Sequence, residues 1–130
     1  MNDKDDSLLI KLIEMDETVT LQQQMGQEVG PVILINTFTV KPEYVEQLVA
    51  AWTADAGFFK QQPGFISAQL HRGVGGSCVF INYAVWESVD HFRHAFSQPE
   101  FQESLKAYPP STIATPHLFQ KVAVPNICVA

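Results

Sequence analysis

Two asparagines interrupt otherwise apolar, β-forming runs. Asn36 lies in PVILINTFTV (residues 31–40), and Asn82 is the one strongly polar side chain of VFINYAVW (residues 79–86). An amide flanked by Leu34 and Phe38 can donate to a substrate oxygen as that oxygen gains charge. Its plainer role is a buried amide satisfied by backbone. His71, near the end of FISAQLHR (residues 65–72), has an unperturbed pKa of about 6.5 and is a candidate proton acceptor. Its plainer role is a hydrogen-bonded structural histidine or a contact at a dimer edge. Asn36 and His71 form the candidate catalytic pair. Asn82, Trp86, Trp52, Phe92 and Phe96 form the candidate substrate-binding set, with His117, just after Pro116, at the pocket mouth. Trp86 can form a pocket wall, although a tryptophan ending a buried strand is more often a core residue. His91 and His94 read as solvent-facing, Arg72 as half of a strand-end ion pair, and no pair of carboxylates is visible. No metal-binding pattern appears: Cys78 and Cys128 are too few and wrongly spaced.

These side chains must be positioned by a regular alternation of elements. Residues 31–40 read as a strand. Pro42, Glu43 and Glu46 then open a helix whose apolar stripe runs Val45, Leu48, Val49, Trp52, Ala56 and Phe59, until Pro63-Gly64 stops it. Residues 65–72 and 79–86 read as strands joined by the turn Gly73-Val74-Gly75-Gly76. That run resembles a phosphate loop only in composition, since no helix follows it. Ser88 is an N-cap for a helix carrying Val89, Phe92 and Phe96. Ser97 and Glu100 have capping-box spacing around Pro99. STIATP (residues 111–116) reads as an extended connector, and HLFQKVAV (residues 117–124) as the last strand. The order strand, helix, strand, strand, helix, strand is the ferredoxin-like βαββαβ pattern: an α+β fold with a four-stranded antiparallel sheet and both helices on one face.

Apolar residues fall on both parities of these strands, so the face away from the helices needs a cover. A second copy packed sheet to sheet, giving a homodimeric α/β barrel, provides it. An amide in such a dry symmetric interface would go unpaired at a cost of about 1–3 kcal/mol. The face carrying Leu34, Asn36 and Phe38 is therefore assigned to the helices, with the pocket between them and the sheet. Residues 1–30 read as an extension that packs on the barrel formed from residues 31–130. Within it, residues 1–7 read as disordered, and LLIKLIEM (residues 8–15) fits either a short strand or two helical turns. Thr20 and Gln23 form a capping box for a helix from Leu21 to Gln27.

With 130 residues, 46% of them hydrophobic, the chain can bury a core of its own. A formal net charge of −6 without a basic cluster argues against nucleic acid. No apolar run reaches the roughly 18 residues of a membrane span. The acidic start lacks the pattern of a signal peptide, so the expected location is cytoplasmic.

Residues 31 to about 124 resemble the antibiotic biosynthesis monooxygenase family of dimeric α+β barrels. The resemblance is carried by LINTFTVKPEYVEQLVAAW, QQPGFISAQLHR, NYAVWESVDHFRHAFSQPEF and PHLFQKVAV. It implies a cofactor-independent monooxygenase-like protein acting on an aromatic or enolisable small metabolite, with no cofactor. The alternative is a non-catalytic dimeric barrel that binds a small hydrophobic ligand. The heme-degrading branch is disfavoured. Asn36 matches its asparagine, but its tryptophan position falls near Ala95 and its histidine position near Leu105.

Overall fold

Alternating β-branched and aromatic residues build three strands of eight residues each: β2 (Val32–Thr39), β3 (Phe65–Arg72) and β4 (Val79–Trp86). The computed structural model describes residues 10–130. β1 (Lys11–Leu12) and β5 (Ile113–Phe119) complete a sheet of order β1-β5-β2-β4-β3. β2 to β5 are antiparallel neighbours, and β1 runs parallel to β5. α2 (Val45–Phe59) connects β2 to β3, while α3 (Val89–Phe96) and α4 (Pro99–Ser104) connect β4 to β5. The fold is α+β and ferredoxin-like, with β1 as a fifth strand beyond the four expected.

Local chemistry sets most boundaries. Pro42 opens a single 3-10 turn, Pro42–Tyr44, ahead of α2. Gly64 ends the connection to β3 at φ +84°, where a Cβ would also lie 2.1 Å from His91 Cγ, so glycine is required twice over. The Ser88 hydroxyl accepts from His91 N–H (3.1 Å) and caps α3. The Ser97–Glu100 capping box does not form. Pro99 occupies the first turn of α4, which makes Gln98 the N-cap, and Ser97 instead closes α3. The last strand also starts earlier than expected. Ile113 to Pro116 pair with β2 and belong to β5, and the strand ends at Phe119 rather than continuing to Val124.

Register decides which side chains share a face. Asn36 lies opposite Asn82, Leu34 opposite Ala84, and Val32 opposite Trp86. On the other side of β2, Asn36 lies opposite Pro116 and Leu34 opposite Leu118. These residues face the helices and carry the core: Val32, Leu34, Phe38, Ala84, Trp86 and Leu118 are buried against Leu48, Val89, Phe92 and Ala95. The opposite face carries Ile33, Ile35, Val79, Ile81, Tyr83 and Val85, none of which is fully buried. The expected double burial of these strands is therefore reached on one face only within a single chain.

The N-terminal segment follows the outer edge of β5. Lys11 N–H donates to Thr112 C=O and Ile13 N–H to Ala114 C=O, both at 2.8 Å. α1 (Leu21–Met25) follows, with the Thr20–Gln23 capping box formed and Gly26 as C-cap. Its Gln24 acts as a strand surrogate: Leu118 N–H donates to Gln24 Oε1 and Gln24 Nε2 donates to Leu118 C=O, both at 2.9 Å. Leu8, Leu9 and the expectation for residues 1–7 lie outside the described residues. Gln24→Ala leaves two strand-edge backbone groups without protein partners and is expected to cost about 1–3 kcal/mol. Removal of residues 1–28 should lower the melting temperature further. Thermal unfolding checks both, and unchanged midpoints would show the segment to be a passive tail.

Candidate functional site

Between the sheet and its helices lies a cavity of about 50 Å³. The sheet provides its floor through Asn36, Asn82, Trp86 and small neighbours such as Ala84 and Ala114. The helices provide a roof of Trp52, Asp55, Phe59, Phe92, Phe96 and Phe101. Ile10 and Leu12 from the N-terminal segment add a side wall. Adjacent rings line the roof at centroid distances of 4.8 Å (Phe59–Phe101), 5.0 Å (Phe96–Phe101) and 5.1 Å (Phe92–Phe96).

The polar groups on the floor of this apolar space are few and unpaired. The Oδ1 atoms of Asn36 and Asn82 and the Nε1 of Trp86 are buried without a hydrogen-bond partner. Antiparallel register sets the two amides side by side, with Cβ atoms about 4.5–5.5 Å apart. Each unpaired atom costs about 1–3 kcal/mol. Trp86, 1% exposed, is fixed by edge contacts to Phe59, Phe65 and Phe92. An amide offers both N–H and C=O and an indole offers N–H, so the trio can bind an oxygen as hydroxyl, carbonyl or oxyanion.

The roof holds a carboxyl that the sequence reading missed. Asp55 is 4% exposed. Its Oδ1 accepts from Ser104 Oγ at 2.5 Å and its Oδ2 from Tyr108 OH at 2.7 Å. Burial raises its pKa, and the two hydroxyl donors only partly offset that. Tyr108 is pushed upward too, by burial first and then by the charge and hydrogen bond of Asp55. Because the folded-state pKa of Asp55 is raised, the group favours folding most below the ordinary carboxylate range. That contribution is lost as pH rises through the raised value. The available signal was positional: Asp55 falls on the same helical face as Leu48, Ala51, Trp52 and Phe59, a charged residue inside an apolar stripe.

Six of the eight sequence-selected residues come together here: Asn36, Asn82, Trp86, Trp52, Phe92 and Phe96 all line the cavity. The two histidines do not. His71 pairs with Ile81, which pairs with Thr37, so it lies on the opposite sheet face from Asn36 and is exposed. One step in strand parity decides this, because side chains alternate faces. His117 pairs with Ile35 and also points away from the cavity. It is 8% exposed, with Nε2 3.2 Å from Gln24 Nε2 and Nδ1 unpartnered, and so is not at the cavity mouth. Among the described residues, no group of three or more His, Cys, Asp or Glu side chains could hold a metal ion, and no helix is long and apolar enough to cross a membrane.

A profile of the antibiotic biosynthesis monooxygenase family matches residues 31–107, more than half the chain. The chain belongs to the antibiotic biosynthesis monooxygenase family. Among curated proteins it is similar to deoxynogalonate monooxygenase of Streptomyces nogalater, 36% identical over 76 residues, or 58% of this chain and 64% of that protein. The chain thus aligns with less than two thirds of that relative's length. Among solved structures it is similar to SnoaB of Streptomyces nogalater, a cofactor-independent oxygenase, with TM-score 0.62 and 29% identity over 75% of this chain and 98% of that one. A protein from Shewanella loihica PV-4 has TM-score 0.64 and 30% identity, covering 74% of this chain and 98% of that one. Rv0793 of Mycobacterium tuberculosis shares the fold at 14% identity and TM-score 0.63, over 74% of this chain and 99% of that one. The family match begins at residue 31, so Ile10 and Leu12 add a cavity wall from outside the matched region.

Proposed function

We propose that this protein is a monooxygenase that works without a cofactor on an aromatic or enolisable small molecule. The observation that carries the reading is the trio of unpartnered polar atoms, on Asn36, Asn82 and Trp86, in a mostly apolar cavity rich in aromatic rings. Such a space suits a flat ring: the unpartnered amide oxygens can accept from a ring hydroxyl, and the Trp86 N–H, with the amide N–H groups once the amides turn, can donate to an oxygen that becomes negative when the ring is deprotonated. An enolate of this kind is electron-rich enough to react with O₂ directly. A ring C–H becomes C=O and the second oxygen leaves as water, with both electrons supplied by the substrate. The similarity to SnoaB, a cofactor-independent oxygenase, supports the same chemistry. At about 50 Å³ the cavity is smaller than the roughly 150 Å³ that accepts one benzene, so ligand entry requires movement of its walls. The break between α3 and α4, flanked by the cavity residues Phe96 and Phe101, is the proposed mouth. The functional unit is proposed to be a homodimer closed over the bare sheet face.

One observation favours the second reading, a barrel that binds a hydrophobic ligand without turning it over: no histidine reaches the cavity. Anaerobic binding of 1,3-dihydroxynaphthalene, followed by O₂ uptake, separates the two. This compound and O₂ yield 2-hydroxy-1,4-naphthoquinone and water, an atom-balanced monooxygenation with a coloured product. Uptake above the spontaneous rate supports the enzyme, and binding without uptake selects the second reading. Purified protein is also expected to show no stoichiometric absorbance above about 350 nm, where flavin and heme absorb. A band there would count against cofactor-free chemistry.

A further inference from the structure

Oxygenation of an enol needs a group inside the cavity that takes the hydroxyl proton, and neither His71 nor His117 is there. Asp55 is there, and among the described residues it is the only carboxyl lining the cavity. Each of its oxygens accepts one hydroxyl hydrogen bond, from Ser104 or Tyr108, which fixes the carboxylate plane and leaves lone pairs free. Among the described residues no basic side chain pairs with it, and Tyr108 is the only other titratable side chain lining the cavity. A carboxylate without a counter-ion in an aromatic cavity has a higher proton affinity than one in water, as its raised pKa reflects.

We infer that Asp55 is the proton acceptor of the reaction, and that the substrate is an aromatic bearing two oxygen functions: one held by the floor amides, the other an acidic hydroxyl facing α2. The inference rests on the monooxygenase reading above. Asp55 takes the O–H proton, and the electron pair moves through the ring to the carbon that forms a bond with O₂. The peroxide anion takes the proton back from Asp55. Asp55 then removes the C–H proton from the same carbon as the O–O bond breaks. Hydroxide leaves, collects that proton from Asp55 as water, and the carboxylate is restored.

The test is O₂ uptake with 1,3-dihydroxynaphthalene across a pH series, corrected for spontaneous oxidation. Asp55→Asn is expected to lower kcat about 10²-fold near neutral pH. The deficit should shrink as pH rises toward ionisation of the probe's own hydroxyl, because a substrate arriving as an anion needs no base. A deficit constant across pH would overturn the inference and leave the monooxygenase reading intact, since a merely structural aspartate predicts that result. Tyr108→Phe gives a second measurement if Asp55→Asn does not fold. It keeps the carboxyl but removes a donor that holds its pKa down, so the rising limb of the kcat profile should move to higher pH. An unmoved limb would also overturn the assignment. No wild-type uptake above the spontaneous rate would remove the monooxygenase reading itself, and the role of Asp55 with it.

Discussion

Replacing both floor amides, Asn36→Leu with Asn82→Leu, is expected to reduce kcat/KM for O₂ uptake by about 10²–10³-fold or more while leaving the fold intact. The two effects have one origin. In the ligand-free protein each amide presents a buried oxygen with no partner, at a cost of about 1–3 kcal/mol apiece. Leucine removes that cost and adds apolar contact beside Leu34, Ala84 and Phe38, so the melting temperature should hold or rise. In the transition state the same amides supply the donors for the developing oxyanion, and leucine has none. Loss of function with gain of stability is the signature of a site whose polar groups await a ligand. If the double variant kept its turnover within a few-fold of wild type, the two amides would be ordinary core residues and the proposed site would be misplaced. Single variants apportion the effect. Asn82, on the same strand face as Trp86, is expected to be at least as sensitive as Asn36.

Much of this arrangement was legible in the sequence because two periodicities carry it. Alternation placed Leu34, Asn36 and Phe38 on one strand face, and the turn signals at Gly64 and Gly73–Gly76 fixed β3 and β4 to within a residue. The aromatic side chains of Trp52, Phe92 and Phe96 followed from helical spacing. The failures have physical reasons. His71 was selected by residue type, but which face it occupies depends on a register shift between Phe65 and Ser67 that no local pattern signals. His117 was misplaced because β5 begins at Ile113, through a Thr-Pro pair that reads as connector. Pro116 is tolerated because it sits in β5 opposite Asn36, near the edge that β1 only partly covers. Asp55 is hard to read from sequence because a single charged residue within the stripe Leu48, Ala51, Trp52 and Phe59 is indistinguishable from one at the stripe's solvated margin until the packing is known. β1 lies in the stretch that fits either a short strand or two helical turns, and the choice stayed open because its two residues pair with β5 mainly through backbone, which side-chain patterning does not encode.

The sheet face turned away from the cavity gives the second large effect. Ile33, Ile35, Tyr83 and Val85 form an apolar patch there that Ile81, 38% exposed between Thr37 and His71, and Val79, 43% exposed, extend along β4. Among the described residues only the C-terminal stretch approaches it, beside Ile33 and Val85, and a sheet packed on a copy of itself would bury it about 10 Å from its partner. Ile81→Lys is therefore expected to convert the proposed dimer into a folded monomer. In the monomer the ammonium reaches water from a half-exposed position at little cost. In a two-fold interface each subunit would bury one charge without a partner, at several kcal/mol per ion. Two such penalties of about 3 kcal/mol weaken association roughly 10⁴-fold. Sedimentation at micromolar concentration reads this directly, with circular dichroism confirming that the monomer keeps its fold. Asn36→Leu is the control from the other face and should leave the sedimentation coefficient unchanged. If Ile81→Lys sediments as wild type does, this face is not the interface. If Asn36→Leu instead dissociates the protein, the helix-facing surface of the sheet takes part in association.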